Sequence, residues 1–421
     1  MTVQQVNSRP PERQTAPPPA SSCRISGHLS VLDGVRGLAI LLVLSYHFTM
    51  GMTGQGLAAR LFFKATSVGW CGVDLFFVLS GFLITGILCD AKGSPHRFRN
   101  FYARRALRIF PLYYGVLIGV FAGLPLIATT TGGFDGVEDA YIWLWSYGTN
   151  ILVALRGEWF PLSHFWTLAV EEHFYIFWPA VVFLCDRKTA VRVCLGMTLL
   201  ALVARVWLVS QGAVLAAYCL TVCRMDALAM GGLVALAARG PRGLGVLAPH
   251  ARTTLLLGAT ALSALVGWRF GLAFHDPVIQ TVGYLALAVC FAAFLALVVA
   301  APASSPLAIA CNLAPLRSLG RYSYGLYVYN SIFILLAEGS SLLPRLVAWS
   351  GSTAVGRLLY VTLAASSTLA VAWLSWHLLE KPFFKLKRHF PSGLDANNLH
   401  SPDDSARTPG YASAPLCPLK A

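Results

Sequence analysis

The sequence predicts an all-α fold, a polytopic transmembrane helical bundle of about ten spans plus one re-entrant or interfacial segment. Three observations carry this. Of 421 residues, 56% are hydrophobic and only 12% charged, against about 25% charged in an ordinary soluble domain. The apolar residues gather in runs near the length of about 20 that crosses a bilayer core as a helix. Lysines and arginines cluster between alternate runs, as positive-inside topology requires. A soluble globular enzyme is thereby excluded. The net charge of +14 then reads as cytosolic loops meeting anionic headgroups, with no nucleic-acid partner implied.

Taken in order, residues 1–28 are rich in Pro, Ser, Gln and Arg and lack the apolar core of a signal peptide, so a disordered cytosolic tail is expected. Cys23 follows no apolar stretch and makes a poor lipoprotein site. The first run, 37–52, follows Arg24 and Arg36, which sets its start in the cytosol. The second, 71–89, returns into a basic loop with Lys92, Arg97, Arg99, Arg104, Arg105 and Arg108. The third, 109–128, leads out to Asp135, Glu138 and Asp139. Residues 141–155 are aromatic and apolar but too short to span. Were they to cross, the next run, 167–185, would leave Arg187, Lys188 and Arg192 outside. They are therefore read as re-entrant or interfacial, with Trp143, Trp145 and Tyr147 in the headgroup layer.

The remaining spans are 167–185 inward, 193–210 outward, 218–238 inward to Arg239, Arg242 and Arg252, 253–272 outward, 278–300 inward, 319–338 outward and 356–379 inward. Both termini then lie in the cytosol, in the inner (plasma) membrane. The domain organisation is a tail over 1–28, a membrane domain over 29–384 and a second tail over 385–421. That tail is basic at Lys385, Lys387 and Arg388 and then low in complexity. The ten cysteines show no paired CxxC spacing and sit mostly in apolar runs, so neither a disulfide framework nor a metal site is expected.

A titratable group at the centre of a span costs about 2.5–3.5 kcal/mol on translocon scales, so each one calls for a reason. Arg36 and His47 bracket the first span eleven positions apart, which on a helix is three turns plus roughly 20° and an axial offset of about 16.5 Å. Both share one face, Arg36 at the cytosolic edge and His47 deep. An anion grip below an imidazole suits an extended anionic ligand threaded along the helix; the alternative is a topology marker below a hydrogen-bonded histidine. Glu171 and Glu172 open the fourth span, and since adjacent helical residues diverge by about 100°, only one of them is expected in any pocket. Arg224 and Asp226 stand at an external span end, where a local ion pair is the simpler reading. Asp74 and Ser80 lie beside Gly81 and Gly86, small residues suited to close helix packing. Glu380 closes the last span.

Together these segments resemble the acyltransferase family 3 membrane proteins, which O-acylate bacterial envelope sugars and some secreted small molecules. Seven blocks carry the resemblance in order: Arg36-x10-His47, GVDLFFVLSGFLI, RRALRIFPLYY, WTLAVEEHFYIFWP, CRMDALAMGG, LGRYSYGLYVYN and SWHLLEKPF, covering about residues 29–384. Two departures stand out. Many relatives end the sixth block in histidine, where this chain has Asn330, so no acid–base role carries over to it. Some relatives continue into an extracytoplasmic hydrolase-like domain, which the residues after Phe384 cannot hold; either the membrane domain completes transfer or a separate extracytoplasmic transferase does.

The resemblance implies an O-acyltransferase using cytosolic acyl-CoA, most simply acetyl-CoA, as donor substrate with no permanently bound cofactor. Arg36, Arg105 and Arg108 are the candidates for the coenzyme's phosphates. His47 is the candidate general base for the acceptor hydroxyl, a covalent acyl-histidine being the less favoured variant. Glu171 is the candidate to orient the base or the acceptor. Arg224 and Asp226 are placed at the acceptor entrance, Glu380 and Asp74 in structural or gating roles, and Ser80 is a further candidate nucleophile with no base identified beside it. Acceptors range from envelope or extracellular polysaccharides to a secreted macrolide. The rival classes are an exporter without covalent chemistry and a scaffold for polysaccharide enzymes; release of coenzyme A excludes the first, and loss of function on neutral replacement of Arg36 or His47 excludes the second.

Overall fold

The structure is a computed structural model that describes residues 29–391 apart from 55, 128–133, 135, 242, 246 and 270. The expected first tail, 1–28, the part of the expected 385–421 tail beyond residue 391, and the charges Asp135 and Arg242 lie outside the described residues. Among the described residues the regular elements are all helical. Eight helical stretches are long and apolar enough to cross a membrane, and nine if one bent pair counts as a single span.

Helix α1 is Ser30–Thr49. A short α2, Leu57–Thr66, buries none of its residues and leads through a turn to α3, Gly72–Ala91. The expected basic loop is not a loop: α4 runs Arg97–Ile127 and carries Arg97, Arg99, Arg104, Arg105 and Arg108 on its first turns. Arginine, alanine and leucine favour helix, and Arg105 and Arg108, three apart, share a face. Residues 141–155 form α5, Tyr141–Trp145, and α6, Thr149–Arg156, both too short to cross. The break falls at Tyr147, whose φ of +56° is left-handed. Trp145 and Tyr147 stack on Tyr114 and Tyr113 of α4 with ring centroids 5.4 and 4.2 Å apart.

Helices α7 (Trp166–Leu184), α8 (Arg187–Ser210), α9 (Val214–Cys219) and α10 (Thr221–Ala238) follow. Along α8, Leu195, Leu199, Val203 and Trp207 recur every fourth residue and are exposed, while Cys194, Met197, Ala201 and Arg205 face inward. An apolar exposed stripe opposite a buried one is what a lipid-facing helix requires. Then come α11 (Leu247–Arg269), α12 (Tyr284–Ala300, entered through a π turn), α13 (Pro306–Cys311), α14 (Ala314–Gly339), α15 (Leu342–Ser350), α16 (Thr353–Ser375) and, after a second π turn over Trp376–Glu380, α17 (Lys381–Lys385). Thr253, Thr254, Thr260 and Ser263 dilute α11, which is long enough to span but is not among the eight. The start of the expected second tail is part of the folded body. Asn100 Nδ2 donates to Pro391 O at 3.0 Å and Arg104 Nη1 to Phe390 O at 2.9 Å.

Two glycine seams set the bundle. A Cβ at Gly37 of α1 would come within 1.9 Å of Leu316 O, and one at Gly320 of α14 within 1.8 Å of Asp33 O. Between α3 and α10, Gly81 and Gly231 each approach a facing carbonyl, of Leu228 and Val78, at 1.9 Å. Glycine lets helix backbones touch where lipid offers no hydrophobic drive for association.

Candidate active site

Helices α1 and α14 run parallel, Gly320 meeting Asp33 near one end and Asn330 meeting His47 near the other. His47 Nδ1 lies 2.5 Å from Asn330 Oδ1. The fully buried Asn330 commits its Nδ2 to donating to Leu326 O at 3.2 Å and Tyr327 O at 2.5 Å. Its oxygen must therefore accept, which puts the imidazole proton on Nδ1 and leaves Nε2 with a free lone pair. The residue that departs from the family's pattern is thus the partner of the candidate base. Glu171, expected to orient that base, is occupied elsewhere.

At the Arg36 end, α1, α3, α4, α7 and α14 line an open cavity. Arg36, Arg105, Arg108, Ser80 and Glu171, named from sequence, all line it, together with Glu172, Tyr175, Tyr324 and Tyr327. Arg36 pairs with Asp33 at 2.9 Å and stands within electrostatic reach of Arg105 and Arg108. Tyr175 donates to Glu171 Oε2 at 3.1 Å, its hydroxyl lies 2.6 Å from Ser80 Oγ, and the Arg105 guanidinium sits 5.3 Å from its ring centroid. Ser80 therefore has a tyrosine, not a histidine, beside it. The expectation that only one of the adjacent glutamates could reach a pocket does not hold: Glu171 and Glu172 both border this cavity, which wraps around α7 from the α3 side to the α4 side.

His47 is not in the cavity wall. Tyr327 connects the two, since it lines the cavity, accepts from Thr167 Oγ1 at 2.6 Å and donates to His164 O at 2.7 Å. His164, which sequence reasoning passed over, lies within electrostatic reach of His47, with its Nε2 3.3 Å from Val328 O. Its position just before the block that holds Glu171 was the available signal.

Arg224 and Asp226, expected at an acceptor entrance and as a local pair, are neither. Arg224 Nη2 bonds Asp74 Oδ1 at 2.5 Å, and Asp226 Oδ2 pairs with Arg205 at 2.7 Å, every side chain no more than 3% exposed. The Arg224 guanidinium also stands 4.4 Å from the Tyr284 ring centroid and 5.3 Å from that of Tyr218. The residues two apart on α10 point to different helices, α3 and α8, and clamp the bundle where the cavity does not reach. Glu380, 3% exposed in the second π turn, lies within electrostatic reach of Arg108.

With that geometry in view, comparison with known proteins is informative. The profile of the acyltransferase domain family Acyl_transf_3 matches residues 29–377. YrhL of Bacillus subtilis, assigned as a peptidoglycan O-acetyltransferase, is 30% identical over 83% of this chain and 54% of its own. The peptidoglycan O-acetyltransferase OatA of Listeria monocytogenes is 26% identical over 84% of this chain and 55% of its own. The chain thus spans about half the length of these relatives. No solved structure matches. A profile that runs from Leu29, just before α1, into the second π turn and takes in every wall of the cavity shows that the chain belongs to acyltransferase family 3.

Proposed function

We propose that the protein is an integral membrane O-acetyltransferase that moves an acetyl group from cytosolic acetyl-CoA to a hydroxyl of a carbohydrate, with a cell-envelope glycan such as peptidoglycan as acceptor. The observation that carries this reading is the convergence of Arg36, Arg105 and Arg108 on one cavity, beneath a histidine whose Nε2 is kept free by Asn330. Guanidinium groups match a diphosphate in charge and fork geometry. The pantetheine arm then extends past Tyr327 toward His47. There the acceptor hydroxyl attacks the thioester carbonyl carbon as Nε2 takes its proton. The C–S bond breaks, the thiolate leaves with the proton returned by the imidazolium, and the products are an acetyl ester and free coenzyme A. Both chain ends lie on the cytosolic side in this reading, where the donor is made.

The test is transfer by the purified protein from radiolabelled acetyl-CoA to a glycan acceptor. His47→Ala is expected to lower kcat by about 10²–10⁴-fold, the usual contribution of a general base, and Arg36→Ala to raise the KM for acetyl-CoA with less effect on the acceptor. A parental rate from His47→Ala removes the base assignment. Export of substrate without release of coenzyme A would establish the transporter class instead.

A further inference from the structure

The basic wall of the cavity continues beyond it. Phe384 of α17 carries two cations against one ring, the Arg108 guanidinium 5.6 Å from its centroid and the Lys387 ammonium 3.8 Å from it. Arg108 lines the cavity and Lys387 does not, so of the two cations on this ring Lys387 is the one outside the cavity wall. The turn that bears it, Leu386–His389, is held against α4 by the Asn100 and Arg104 bonds to Pro391 O and Phe390 O. Lys387 is half-buried there, within electrostatic reach of Arg104, Arg105 and Arg108 and of one carboxylate, Glu380. Like charges gathered where water is scarce repel more strongly than at an open surface. A ligand that relieves them is anionic and reaches out of the cavity as far as Phe384.

Resting on acetyl-CoA as donor, we propose that Lys387 forms a subsite for the 3′-phosphate of coenzyme A. The coenzyme carries a diphosphate next to its pantetheine arm and a phosphomonoester on the ribose at the far end. With the thioester innermost, the diphosphate falls among Arg36, Arg105 and Arg108. The phosphomonoester then falls outside the cavity wall, where Lys387 stands. A compact ammonium on a flexible stem suits a terminal phosphate. The phosphate of an anionic lipid headgroup offers the same chemistry from another source.

The experiment measures binding of coenzyme A and of 3′-dephospho-coenzyme A to the full chain in detergent, and in vesicles of phosphatidylcholine with or without phosphatidylglycerol. The parent is expected to prefer coenzyme A by about tenfold, the size of one charge-assisted hydrogen bond. Lys387→Met, which keeps the stem over Phe384, abolishes that preference and leaves affinity for the dephospho form unchanged; Lys387→Arg retains most of it. Lys387→Gln is the substitute should the methionine variant not fold. Equal weakening toward both ligands overturns the subsite, and an effect seen only with phosphatidylglycerol assigns Lys387 to a lipid headgroup. A parent that binds neither ligand overturns the donor reading itself, whereas one that binds both equally overturns only the role of Lys387.

Discussion

The Asn330 side chain decides which nitrogen of His47 carries the proton, because its own amide hydrogens are taken by Leu326 O and Tyr327 O. Asn330→Leu keeps the branched outline of the side chain and removes the acceptor, leaving a buried N–H unpaired at a cost of about 1–3 kcal/mol. The expected result is a kcat lower by roughly 10–100-fold with the KM for acetyl-CoA unchanged, since the loss falls on the base and not on donor binding. Steady-state kinetics at varied donor check this; an unchanged kcat would mean that His47 keeps its working tautomer without Asn330. Arg36 and His47 were legible in the sequence because both lie on one helix, where spacing alone fixes the face. Asn330 as the partner of His47 was not, being 283 positions away from it. The same limit hid the pairs of α10. Arg224 and Asp226 are neighbours in sequence, but their partners Asp74 and Arg205 come from helices that only the packing brings alongside.

Among the elements, the seam between α3 and α10 makes the sharpest demand. A methyl group at Gly81 would meet Leu228 O at 1.9 Å, backbone that cannot swing aside as a side chain can, so the helices must separate. Gly81→Ala is expected to lower stability by about 1–3 kcal/mol through overpacking. Gly119→Ala on α4, where a Cβ meets nothing within 4 Å, should be neutral or gain up to about 1 kcal/mol from helix propensity. Thermal unfolding of the two variants in detergent makes the comparison; equal midpoints would show that the seam is looser than drawn. The sequence already marked Gly81 as a packing position. What it misplaced were boundaries. α4 begins twelve residues before the expected span, at Arg97 rather than 109, because charge was read as loop although arginine is a good helix former. That extension aims Arg105 and Arg108 into the cavity.

At the scale of the whole molecule, the charges impose a parity on the topology. Arg36 precedes the core of the first span and Lys387 follows the last one. Arg36 shares the cavity with Arg108, and Arg108 shares the Phe384 ring with Lys387, so both ends of the membrane domain are expected on one side. An even number of crossings must separate them. Eight spans plus the bent pair of α14 and α15 make nine, which is odd, so a tenth crossing is expected. Among the described residues α11 has the position for it. Arg239, before it, pairs with Asp90 at the last turn of α3 at 2.6 Å, while Leu272, after it, accepts from Trp70 Nε1 at the entry to α3 at 2.8 Å. A helix of 23 residues is about 35 Å long, enough for a core of about 30 Å. On this count α11 is expected to cross despite its threonines. Reporter fusions after Gly240 and after His275 are expected to read opposite compartments, the first cytosolic. Likewise, a fusion after Leu155 should read outside and one after Arg187 inside, because α5 and α6 do not cross. If Gly240 and His275 read the same side, α12, α14 and α16 would all invert, carrying Lys385, Lys387 and Arg388 outward against the charge bias and away from Arg108, and the shared basic cluster could not exist in the membrane.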